Sequence, residues 1–128
     1  MTSKKNSFDA ELFFSGLADK TRLRLLNLMR DGEVCVCFFA ETIGTNNPKI
    51  SRHLSYLKRV NLVTRRRDGK WMHYKINEPK DPQAKAVFDA TMKMLRSNPE
   101  MNRDYKRLSD FCCSPVAISR LHSGTKKS

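Results

Sequence analysis

The chain has 128 residues, with 25 Lys and Arg against 13 Asp and Glu, for a formal net charge of +12. That length suits one domain with a real core, which a partner subunit can help to bury, and the charge points to a polyanionic partner, nucleic acid first. No apolar run reaches the roughly 18 residues of a membrane span and MTSKKNSFDAELFF has no signal-peptide core, so a cytoplasmic chain without a membrane partner is expected.

The first helix is predicted from Phe8 to Gly16, with Ser7 as its cap and Phe8, Leu12 and Phe13 on its apolar side. Asp19 caps a second, DKTRLRLLNLMR, whose Leu23, Leu26 and Met29 recur at helical spacing. After Asp31-Gly32, EVCVCFFAETIG reads as a short third helix closed by Gly44. The fourth, NPKISRHLSYLKRVN, takes Asn47 as N-cap and Pro48 as first residue, with Ile50, Leu54 and Leu57 as its buried stripe. Its opposite face carries Arg52, Ser55, Tyr56 and Arg59, with Lys49 at the edge.

LVTRRRDGKWMHYKI then reads as two strands around Asp68-Gly69. Asp81 and Pro82 open a fifth helix to about Ser97, with Ala84, Val87, Phe88, Thr91, Met94 and Leu95 on one face. A further amphipathic stretch from Asn98 carries Met101, Tyr105 and Leu108 and ends near Phe111-Cys112-Cys113; SGTKKS is expected to be a frayed tail. The predicted fold is mainly α with a β-hairpin, a winged helix-turn-helix of order α-α-α-α-β-β-α. Residues 1–97 form a DNA-binding and dimerisation domain, and 98–128 a C-terminal extension.

From Lys49 to Lys75 nine Lys or Arg face one acid, Asp68, and five of the nine lie in the hairpin. The fourth helix is thus expected in a major groove, with Asn47, Lys49, Ser51, Arg52, Ser55 and Tyr56 as DNA contacts. Arg66, Arg67 and Lys70 would form a wing on the backbone or minor groove. No phosphate-binding glycine loop and no nucleophile arrangement around His53 or His73 supports an enzyme.

Four cysteines in two close pairs, 35/37 and 112/113, do not make a disulfide framework in a reducing compartment. They suit metal, metalloid or redox chemistry, or an ordinary core. On a regular helix, positions 35 and 37 would point to nearly opposite sides, at about 100° per residue.

LADKTRLRLLNLM at 17–29, VCVCFF at 34–39, PKISRHLSYLKRVNLV at 48–63 and RRDGKWMHYKI at 66–76 resemble an arsenic-responsive repressor of the ArsR/SmtB family. The resemblance implies a homodimer on double-stranded operator DNA that represses its own resistance operon and leaves DNA when its inducer binds. Its interface would be formed by the first and fifth helices, Phe8 to Gly16 and Pro82 to Ser97. The implied inducer is arsenite, As(III), with Sb(III) and methylarsenite as further candidates, held by Cys35 and Cys37. Arsenite takes three sulfurs, and where this branch often carries a third cysteine the chain has Ala40. Cys112 or Cys113, from the same or the partner subunit, is the candidate replacement, the alternative being a two-coordinate site completed by an outside thiol. Binding is expected to unwind the first turn of the third helix, since both sulfurs must lie about 2.3 Å from one atom. The family's fifth-helix zinc site finds no His in DPQAKAVFDATMKML. The rival is a thiol redox switch that releases DNA on oxidation.

Overall fold

Short polar side chains start most of the helices, and a left-handed glycine, Gly44, closes one of them. The structure, a computed structural model, describes residues 8–113, the last three as backbone alone. Ser7, the expected first cap, lies outside the described residues. Helix α1 is Ala10–Leu17, and its cap is Asp9, whose carboxylate accepts the Leu12 N–H at 3.0 Å. Helix α2, Lys20–Leu28, is capped by Asp19 as predicted.

The third element differs from the prediction. Val34–Cys35 form a short strand, β1, and helix α3 covers only Cys37–Ile43. Two apolar β-branched-and-thiol residues are indistinguishable by periodicity from a helix start. What makes them a strand is an exposed ladder edge elsewhere in the chain, supplied by the hairpin.

Helix α4 is Asn47–Arg59, and its N-cap is Asn46 rather than Asn47: the Asn46 side chain accepts the Lys49 N–H at 2.9 Å. Ile50, Leu54 and Leu57 are buried as predicted. A left-handed Asn61 (φ 68°) turns the chain into β2, Val63–Asp68, which pairs antiparallel with β3, Trp71–Ile76. Asp68 pairs with Trp71, so the two-residue turn is Gly69-Lys70, one position later than expected, and Gly69 supplies the positive φ of 64°. The sheet order is β1-β3-β2, with Val34 opposite Tyr74 and Cys35 opposite His73.

Helix α5, Pro82–Arg96, starts on Asp81, which accepts the Gln83 and Ala84 N–H groups. Its apolar residues split into two faces. Ala84, Phe88, Met92 and Leu95 are buried, whereas Val87 and Met94 are 37% and 59% exposed. Helix α6, Pro99–Cys113, packs on α2 and α3. It adds Met101 and Leu108 to the one core cluster that also holds Phe13, Leu25, Phe39, Leu54 and Phe88. Two polar contacts fix its register: Asn27 donates to the Met101 carbonyl at 2.8 Å, and Arg24 forks onto Asp104 at 2.7 and 3.0 Å. Gly16 lets α1 press on the end of α4, where a Cβ would stand 2.8 Å from Val60.

Candidate nucleic-acid interface and thiol pair

Burying Ile50, Leu54 and Leu57 turns the opposite side of α4 outward by helical geometry. Asn47, Lys49, Ser51, Arg52 and Ser55 are all exposed there, and no acidic residue interrupts them. Tyr56, also expected at the DNA surface, is half-buried. Its hydroxyl bonds the Ser15 hydroxyl of α1, and the guanidiniums of Arg22 and Arg59 lie 4.1 and 4.7 Å from its ring centre.

Arg22, which the sequence reading passed over, buttresses this end of the helix. It donates to the Gly16 and Ser15 carbonyls at 3.0 and 2.9 Å and to His53 Nδ1 at 3.2 Å. As an acceptor from Arg22, His53 is held neutral; burial pushes its pKa down, and the Arg22, Lys49 and Arg52 charges add to that, against Asp19. Arg22, Arg52, Arg59 and Ser55 line a concavity of about 480 Å³ beside the recognition face. Its cations and hydroxyls suit a phosphate oxygen.

The hairpin presents Arg65, Arg67 and Lys70 to solvent. Arg66 is held differently. It forks onto Glu33, with Nη2 at 2.6 Å and Nε at 3.0 Å, so the wing is tied to the residue just before β1. The bond from Arg66 holds the Glu33 carboxyl below its usual range.

At the other end of β1 the two thiols meet. Cys35 ends the strand, Val36 donates its N–H to the Met72 carbonyl at 2.8 Å and bends into the helical region, and Cys37 opens α3. The bend brings the sulfurs to 3.0 Å, with the Cys37 thiol donating to Cys35 Sγ. This corrects the expectation that a ligand must unwind a helical turn: Cys35 was never in that turn. The Cys35 pKa falls from 9.0 to about 6. The Cys37 thiol hydrogen bond is the largest cause, helped by the Cys37 backbone N–H and the charge of His73, against burial. As the first helical residue, Cys37 has an N–H that the helix itself cannot satisfy. At neutral pH, then, Cys35 is a thiolate, the form that binds soft metals and metalloids.

Ala40 lies one turn along α3, half-buried. The backbone of Cys112 and Cys113 forms the last turn of α6, while their side chains lie outside the described residues. Among the described residues no three His, Cys, Asp or Glu side chains converge on a metal-sized site, and no helix is long and apolar enough to cross a membrane.

The recognition helix, its buttressed partner and the basic hairpin define a winged helix-turn-helix DNA-binding regulator. Residues 19–65 match the family described as bacterial regulatory protein, arsR family. The chain is 39% identical over 90 residues to the arsenic resistance transcriptional regulator ArsR1 of Pseudomonas putida, covering 66% of this chain and 70% of that one. It is 39% identical over 77 residues to the arsenical resistance operon repressor of Escherichia coli, covering 59% and 66%. Among solved structures, HlyU from Vibrio cholerae superposes with a TM-score of 0.60 at 24% identity, covering 72% of this chain and 97% of that one. The antimony-specific repressor AntR gives 0.55 at 27%, covering 75% and 85%. The homodimeric winged helix-turn-helix domain Mb0332 from Mycobacterium bovis gives 0.55 at 28%, covering 70% and 84%. The protein belongs to the arsR family of bacterial transcriptional regulators.

Proposed function

We propose that this regulator is a homodimeric repressor of an arsenic-resistance operon, released from operator DNA when trivalent arsenic binds the thiolates of Cys35 and Cys37. The observation that carries the reading is the pair of sulfurs 3.0 Å apart, where the Cys37 thiol bond holds the Cys35 pKa down to about 6 and so favours the thiolate. Two sulfurs about 2.3 Å from one atom, with a near-perpendicular bite, stand about 3.3 Å apart. The pair therefore needs to open by only a few tenths of an ångström. Arsenite is the first inducer to consider, in keeping with the names of the relatives. Antimonite follows from the likeness to AntR, and a two-sulfur site would also take methylarsenite. Arsenite takes a third sulfur, for which Cys112, Cys113 or an outside thiol is the candidate.

The dimer would use the exposed Phe14 of α1 with Val87 and Met94 of α5, large apolar side chains that water does not favour. DNA is held by Asn47, Lys49, Ser51, Arg52 and Ser55 with the hairpin cations, and Tyr56 serves to set the helix. The test is fluorescence anisotropy of the upstream promoter DNA with reduced protein at fixed salt. Arsenite is expected to lower the anisotropy, and Cys35→Ser/Cys37→Ser to abolish that response while DNA is still bound. Binding that ignores arsenite in the unmutated protein overturns the reading.

A second reading has the same 3.0 Å contact in its favour. Hydrogen peroxide would take two electrons from the pair and, with the Cys37 proton and one more from solvent, leave a Cys35–Cys37 disulfide and two waters. Release by peroxide, reversed by a dithiol and absent with arsenite under reducing conditions, would select it.

A further inference from the structure

Strand β1 belongs to both halves of the molecule. It carries Cys35 at one end, and both its residues pair with β3, the central strand of the sheet, so it is an integral part of the wing. The Val36 N–H extends that ladder by one more bond, to Met72. On the outer side of the sheet, Cys35 is opposite His73 and His73 is opposite Arg66. The Arg66 side chain crosses β3 to reach Glu33, two residues before Cys35. Among the described residues Arg66 is the wing cation whose ion pair reaches outside the hairpin; its other carboxylate, Asp68, is local and 4.0 Å away.

We propose that Glu33 is the positioning residue that transmits the state of the thiol pair to the wing, through its two-pronged hold on Arg66. The proposal rests on the thiol-responsive repressor described above. The geometry favours this route for two reasons. Glu33 stands directly before a strand only two residues long, so a shift of the Cys35 backbone that accompanies inducer binding would reach it along that strand. A bidentate guanidinium–carboxylate pair tolerates little displacement, because both bonds depend on one planar alignment. With its partner shifted, Arg66 leaves the orientation in which Glu33 holds it on the wing. Glu33 touches neither DNA nor inducer; it acts through Arg66.

The experiment compares full-length protein with Glu33→Gln, Arg66→Gln and the double variant, all reduced and at one ionic strength. Two quantities are read: arsenite affinity of the free protein, and the ratio of DNA affinities without and with arsenite. The starting ratio should fall in the roughly 5- to 150-fold range of coupled sites. Expected is a ratio collapsing toward one in E33Q, no lower in the double variant, with arsenite affinity unchanged in all. Glu33→Asp, which keeps the charge but shortens the arm, should recover part of it. A full ratio in E33Q overturns the proposal and leaves α3 and α4 as the route, with the repressor reading intact. Weakened arsenite binding in E33Q also overturns it, by placing Glu33 at the thiol site itself. A ratio of one in the unmutated protein would sink the repressor reading, and the proposal with it.

Discussion

The acidity of Cys35 comes from a bend of one residue, and it can be measured directly. Cys37→Ala removes the thiol donor, so the Cys35 pKa should climb from about 6 back toward 9.0; the rate of iodoacetamide alkylation against pH reads the shift. The same depression has a consequence for folding. A group whose folded pKa lies below its unfolded value stabilises the fold fully above the unfolded pKa and loses that contribution as pH falls through the folded one. As pH falls from 9.0 to about 6 the unmutated protein should therefore lose stability to urea, whereas Cys37→Ala, which lacks most of that contribution, should lose much less. The thiol pair itself was legible in the chain as CVC. Its geometry was not, because convergence depends on the ladder bonds that β3 gives to Val34, Cys35 and Val36. Tyr56 is a similar case: its position on the polar face of α4 was readable, but Ser15 and Arg22, which hold it inward, are distant in sequence.

Among the elements, α4 was the most legible, since apolar stripe and cationic face agree. The displaced cap follows from two consecutive asparagines ahead of a proline that is tolerated in either of the first helical positions. Asn46→Ala should cost about 1 kcal/mol, as a lost N-cap does, while Asn47→Ala should cost much less; urea midpoints of the pair decide this. Helix α6 was readable as amphipathic, but its attachment to α2 was not. Asp104 is buried, with its side chain 2% exposed, and Arg24 is its main partner, Arg107 standing 3.5 Å away. Arg24→Ala should cost about 3 kcal/mol, the low end for breaking a buried pair, because Arg107 remains. Arg30→Ala, whose hydrogen bond to Asn102 is exposed, should cost far less.

For the whole molecule, charge and assembly govern behaviour. If six to ten phosphates are neutralised per dimer, DNA affinity should fall roughly 10³- to 10⁵-fold between 50 and 200 mM salt, as anisotropy titrations would record. If the proposed dimer uses α5, Met94→Glu, at a side chain 59% exposed, should shift the protein to monomer in sedimentation and weaken operator binding with it. A dimer that survives this change would move the interface away from α5. By sequence, the residues of α5 formed one apolar face; folding divides it, because α2 and α6 cover only the side bearing Ala84, Phe88, Met92 and Leu95.

The chain by itself determined what depends on neighbours within a few residues: where most of the helices lie, the caps Asp19 and Asp81, the hairpin, the cationic surface and the presence of two close thiols. Periodicity, capping and turn chemistry act locally, so they can be read locally. Tertiary structure alone decided that Cys35 is a strand residue, that its sulfur meets that of Cys37 at 3.0 Å, that Arg66 is held by Glu33, and that Tyr56 turns inward. Each of these depends on a partner brought from another part of the chain by burial of a shared core, and no local pattern names that partner.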